Sequence, residues 1–224
     1  MHHAFPNRLE YDEDIDLSPI VYLWFPKADA DSWHRKYQHI YFPFAYSLNF
    51  VSWRIASLRF IFGSGENLQR FLIALNYLWL FIMPWRVSVA SVIISGLLVA
   101  LVVTQSHQAE EIIQPDEAYC FVSDQFRTTR GIIIDSYFMA YLFGGMQYQL
   151  EHHLFPTMPR YYYPKLRPMI KAFAEKNNLD YKLATLSEIF QRNYNLIKVC
   201  SNPINPNVAA NGPKFSADKG KKEE

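Results

Sequence analysis

Residues 87–109 run for 23 positions without an Asp, Glu, Lys or Arg. As an α-helix rising about 1.5 Å per residue, such a run is about 34 Å long, enough to cross the roughly 30 Å hydrocarbon core of a bilayer. It shows no polar face, whereas the competing arrangement, a buried helix of a soluble bundle, normally keeps one. The sequence therefore points to an integral membrane protein, although a mean hydropathy of -0.11 alone would suit a soluble chain. Two more apolar stretches precede this run. Residues 41–53 are charge-free and continue through Arg54 and Arg59 to Phe62, with arginines that can snorkel from one end. Residues 71–85 would make only about 22 Å of helix, which places them at the interface. The expected fold class is all-α: a helical integral membrane protein with segments at about 41–62, 71–85 and 87–107, and a cytosolic helical cap.

The remaining residues face water. Residues 8–33 hold seven acids (Glu10, Asp12, Glu13, Asp14, Asp16, Asp29 and Asp31) against Arg8 and Lys27, and read as a solvated loop. Residues 156–200 carry eight Lys or Arg against three acids, a bias that suits the cytoplasmic side of a membrane. Residues 201–224, with Pro203, Pro206 and Pro213 ahead of a Lys/Glu terminus, are expected to be a disordered tail. The balance of 22 Lys+Arg against 21 Asp+Glu excludes nucleic-acid binding driven by bulk charge. Two cysteines, Cys120 and Cys200, form no CxxC, so any metal must sit on histidine and oxygen. The chain also lacks HExxH, Glu-x-x-His, GxGxxG and P-loop patterns, which leaves a zincin, a carboxylate-bridged di-iron bundle and a resident nicotinamide unsupported.

Seven histidines carry the functional signal: His2, His3, His34, His39, His107, His152 and His153. Gln149, His152 and His153 fall on a short helix stopped by Pro156, and offsets of three and four share a helix face, so the three can converge on one point. Neutral imidazole is a ligand for iron, zinc or copper at physiological pH. His107 lies where the long apolar run leaves the membrane, either as a boundary residue or as a further ligand. His39 and, more so, His34 read as anchors beside the first apolar stretch.

The run Gly144, Gly145, Gln149, Leu150, Glu151, His152, His153, Leu154, Phe155, Pro156, Thr157, Met158, Pro159 and Arg160 closely resembles the third histidine box of front-end membrane fatty acyl desaturases. A Gln in place of that box's first His marks the front-end branch, which inserts a double bond between an existing one and the carboxyl end. His2 and His3 resemble the final pair of the second box, and Asn7 and Asp12 to Asp16 match the Asn and the Asp-rich stretch downstream of that pair in the family. His107 matches the isolated His after the family's last span, and His39 falls in its Tyr-Gln-His element. The similarity covers residues 1 to about 195.

That resemblance implies two iron ions held by His2, His3, His107, His152 and His153, with no catalytic side chain beyond the metal site. It places Gln149 and Glu151 in supporting positions behind the ligands and Arg160 in contact with a lipid headgroup. It implies a fatty acyl-CoA or acyl-phospholipid substrate, O2, electrons from cytochrome b5 and its reductase, and an endoplasmic reticulum membrane with the cluster facing the cytosol. The family's first box, the first His of its second box and its cytochrome b5 domain are absent from residues 1–224, so the chain is expected to be the C-terminal portion of a desaturase. An inactive remnant that pairs with a complete enzyme, and a sphingolipid desaturase or hydroxylase, are the alternatives. With all ligands on one side, the chain between His3 and His107 must cross the membrane an even number of times. Segments 41–58 and 87–107 satisfy this, as does a hairpin of 71–85 and 87–107.

Overall fold

The computed structural model describes residues 2–26, 29 and 31–203; of the expected tail, residues 204–224 lie outside the described residues. The chain divides into two compact units, residues 40–103 and residues 1–39 together with 104 onward.

The first of these is helical throughout. It holds α1 (Gln38–Ser47, which begins two residues before the boundary), α2 (Asn49–Ser64), α3 (Asn67–Ile82) and α4 (Trp85–Val103). Among the described residues only α4 is long and apolar enough to cross a membrane. The segment expected over 41–62 is two helices with a turn at Leu48. Pro43 offers no N–H to the ladder, and the Ser47 hydroxyl turns back on the Phe44 carbonyl at 2.7 Å. α3 begins before the charge-free run, because Glu66 and Gln69 close a capping box and Arg70 sits in the first turn. Pro84 separates α3 from α4, which starts at Trp85 and stops at Val103, so His107 lies beyond the helix rather than at its last turn. Gly96 lets α4 run against the α1–α2 turn: a Cβ built there would stand 2.0 Å from the Ser47 carbonyl oxygen. Large apolar side chains, Phe60, Phe71, Phe81 and Trp85 among them, remain exposed.

The other unit holds α5 (Phe121–Thr128), α6 (Tyr137–Phe143), α7 (Gln149–Leu154), α8 (Tyr163–Lys176) and α9 (Leu186–Cys200). It is not purely helical. β1 (Gly131–Ile133) pairs in parallel with β2 (Leu183–Thr185), Gly131 opposite Leu183, a pairing across some fifty residues. Its core gathers Phe126, Leu150, Ile170 and Ala174, with Val122, Leu154 and Leu166 packed against them. On α5 the pair Val122 and Phe126, and on α7 the pair Leu150 and Leu154, are each four residues apart and therefore share one face. Those faces dock α5, α7 and α8 on one another, and Gln125, Gln149 and His153 on the same helices are buried beside them.

The N-terminal segment is tied to the stretch after His107. Leu9 N–H donates to the Ile113 carbonyl at 3.0 Å and Ile113 N–H to the Asn7 carbonyl at 2.9 Å. Buried Arg8 reaches Asp124 of α5 at 3.0 Å. The expected solvated loop is accordingly only partly so. Asp12, Ile15, Val21, Tyr22 and Leu23 are buried, since the hydrogen bonds of Asp12 replace its water. At the other end Arg35 pairs with Asp31 and donates to the carbonyls of Cys200 and Asn202.

Candidate metal centre

The five expected histidines come together. His153 is the central ring: its centroid lies 4.5 Å from His107, 4.8 Å from His2, 4.8 Å from His3 and 5.8 Å from His152. Around it are two groups. His2, His107 and His153 have ligand atoms within 4.8 Å of one another. His3 and His152 approach each other on another side of His153, with centroids 4.6 Å apart. His34 and His39 are placed elsewhere, His34 with Nε2 on the Pro19 carbonyl and His39 with Nδ1 on Ser201 Oγ.

Four of the five rings have Nδ1 on a protein partner. His2 Nδ1 is 2.8 Å from Asp12 Oδ2, His107 Nδ1 3.2 Å from the Thr128 carbonyl, and His153 Nδ1 3.0 Å from Gln125 Oε1. His152 Nδ1 is 3.1 Å from the Tyr163 hydroxyl, whose own hydrogen goes to the Phe155 carbonyl. Each partner is therefore an acceptor, which puts the proton on Nδ1 and leaves Nε2 as a lone pair. The amide of Gln149 agrees with these tautomers: its Nε2 lies 2.9 Å from His107 Nε2 and 3.3 Å from His153 Nε2, so both must accept.

Burial disfavours the charged form of four of the rings, His3, His107, His152 and His153. It pushes His107 down to about 3, with the nearby His2 adding to the effect, and His152 down to about 4, with His3 and Arg160 adding to it. His153 is held well below the ordinary histidine range by burial and by His107, and His3 is lowered by burial and by His2. For Asp12, burial opposes ionisation, but the His2 contact and the Asn7 N–H outweigh it and hold the carboxyl below its usual range. Imidazoles oriented through Nδ1, and a Gln149 Oε1 that is buried without a hydrogen-bond partner, form a donor set that suits a divalent transition metal.

Two further expected residues stand apart from the rings. Glu151 is fully buried but turns away from the cluster, to Arg167 Nε at 3.2 Å and the Tyr181 hydroxyl. Arg160 is exposed and donates to the Gly144 carbonyl at 2.9 Å, closing the C-terminal end of α6, where Gly144 has φ +54°. Asp12, Gln125, Thr128 and Tyr163 did not emerge as site residues from the sequence. An acid shortly after a His pair was the only available signal for Asp12, and Gln125 was visible only as the polar side of a short amphipathic stretch.

These observations define a largely helical protein with a histidine cluster, buried at His107 and His153 and half-buried at the other three, assembled from three chain segments. The chain belongs to the fatty acid desaturase family, whose model matches residues 1–184. It is 31% identical to the Delta(6)-fatty-acid desaturase fat-3 of Caenorhabditis elegans over 93% of this chain and 53% of that protein. It is 31% identical to the acyl-lipid (9-3)-desaturase of Physcomitrium patens, over 81% of this chain and 39% of that protein. Against the Delta(5) fatty acid desaturase fat-4 of Caenorhabditis elegans it is 29% identical, over 81% and 46%. The chain thus spans about half the length of the curated relatives it matches. No solved structure matches it.

Proposed function

We propose that this chain carries the histidine-rich metal site of a front-end fatty acyl desaturase, acting on a polyunsaturated acyl chain toward its carboxyl end. The observation that carries this reading is the shared orientation of the rings. Four histidines from three segments commit Nδ1 to an acceptor, and the lone pairs of His107 and His153 meet at one amide. His2, His3, His107, His152 and His153 would hold two iron ions, which when bound supply the oxygen-dependent removal of hydrogen from an unactivated methylene. Asp12, Gln125, Tyr163 and the Thr128 carbonyl orient the ligand rings, and Gln149 stands between His107 and His153 as a polar support. Glu151, locked to Arg167 and Tyr181, fixes the helix that bears His152 and His153 rather than the rings themselves.

The substrate is an acyl-CoA or acyl-phospholipid, with O2 as the second substrate. Electrons come from cytochrome b5 and its reductase, as the resemblance to front-end desaturases implies. Localisation to the endoplasmic reticulum membrane, cluster toward the cytosol, is supported by the apolar length of α4 and the basic bias of residues 156–200. In this reading Arg160 meets a headgroup beside α6. The test is metal and product analysis of the full-length protein that carries this chain, produced in membranes with cytochrome b5 and its reductase. Two irons per chain and an O2-dependent new double bond are expected, the double bond being lost in His152→Ala. A folded chain that takes up no iron overturns the reading, and a hydroxylated product or a sphingoid product replaces the substrate assignment.

A further inference from the structure

Gln125 is fully buried on α5, and both ends of its amide are committed. Its Nε2 donates to the main-chain carbonyl of His3 at 2.8 Å, and its Oε1 lies 3.0 Å from His153 Nδ1. The carbonyl of His3 can only accept, so the amide end facing it is the NH2 and the end facing His153 is the oxygen. His153 Nδ1 must then carry its proton, and its Nε2 is left as a lone pair among the other imidazoles. The placement of the amide does not depend on the cluster. Phe126, the next residue, and Val122 lie in the core against Leu150 and Ile170, so α5 is fixed by packing before any ligand ring is considered.

We propose that Gln125 is a positioning residue of the histidine cluster, setting the His153 tautomer with one end of its amide and holding the segment of His2 and His3 with the other. This rests on the reading of the cluster as a metal centre. Without the oxygen, a neutral His153 is free to move its proton to Nε2, which removes the central lone pair. Without the NH2, the His3 carbonyl is left unpaired and the segment bearing two of the five rings is left with the Arg8–Asp124 pair as a tie to α5.

The full chain in detergent micelles, titrated with cobalt(II) and followed by visible absorption and thermal unfolding, tests this. Gln125→Leu is expected to weaken cobalt(II) binding by about 10- to 100-fold. Gln125→Glu keeps an acceptor for His153, now anionic, and sets an oxygen against the His3 carbonyl, so it is expected to retain most of the affinity with shifted absorption bands and a lower melting temperature. Unchanged binding in Gln125→Leu overturns the proposal. An equal loss in both variants that tracks a lowered melting temperature also overturns it, because Gln125 is then scaffold alone. If Gln125→Leu does not fold, Gln125→Glu decides: retained affinity with altered bands supports the proposal, and a wild-type spectrum or complete loss of binding overturns it. A wild-type chain that binds no cobalt(II) overturns the metal-centre reading itself, an outcome distinct from all of these.

Discussion

The side-chain amide of Asn7 donates to the main-chain carbonyl of His107 at 2.8 Å, joining residues 100 positions apart. The same amide reaches the Glu111 carbonyl at 3.1 Å, and the Asn7 backbone N–H donates to Asp12 Oδ2 at 2.7 Å. Asn7 also adopts φ 52°, the left-handed region that Asn enters more readily than most residues. Asn7→Ala removes one buried and one part-buried hydrogen bond and keeps the backbone cost, so a destabilisation of about 2–4 kcal/mol is expected in thermal unfolding. Asn7→Gly loses the same bonds but relieves the backbone, and is expected to be about 1 kcal/mol less damaging. Equal losses in the two variants would show that backbone conformation contributes nothing.

Asp12 acts on His2 through one 2.8 Å contact, its own charge sustained by Asn7 and by the backbone N–H of Asp14. Asp12→Asn preserves shape and removes the anionic acceptor. Metal affinity is expected to fall about tenfold or more, read by competition with a chelator, while the fold persists.

His153 touches both ring groups, whereas His152 approaches only the one with His3 besides His153 itself. His153→Ala is expected to empty the site, and His152→Ala to leave metal bound by His2, His107 and His153. Metal per chain, measured by emission spectroscopy on the purified variants, distinguishes these outcomes; equal retention would contradict the central placement of His153.

Much of this arrangement is legible in the sequence, and the limits have physical causes. α4 was readable because a charge-free run of bilayer length has few alternative uses. Its boundaries were not, since Trp85 and Val103 are set by Pro84 and by the polar turn from Thr104 rather than by charge. The pairing of Gln149 with His153 followed from helical spacing. The β1–β2 ladder escaped because its partners are some fifty residues apart and each strand is only three residues long. Gln125 escaped for a related reason: its role depends on which backbone carbonyl and which ring fold against it, and neither is encoded in the sequence around it.

The two thiols differ sharply. Cys120 is exposed, while Cys200 is buried at the end of α9 and burial pushes its thiol up to about 12. A raised thiol value means that little thiolate forms on the folded chain from about pH 7 to about pH 10. One fast-labelling cysteine is expected over that range, with the second released only by denaturant. Rapid labelling of both in the folded chain would show that the Arg35 clasp on the Cys200 and Asn202 carbonyls opens.

Gly96 is the point where backbone meets backbone within residues 40–103. Gly96→Ala forces α4 away from the Ser47 carbonyl and is expected to cost about 1–3 kcal/mol, seen as a lower melting temperature in detergent. Gly63, with open space around it, is the control, and Gly63→Ala should be neutral or mildly stabilising.

The histidine cluster is closed by rings drawn from His2 to His153, with α5 as the plate against which they are set. During synthesis, His2 and His3 leave the ribosome ahead of the other three rings, with α1 to α6 and β1 made before His152 and His153. The cage gains its central ring only when His153 emerges. On the proposed reading, a metal that needs the His153 ring is held only after residues 2–152 have been made.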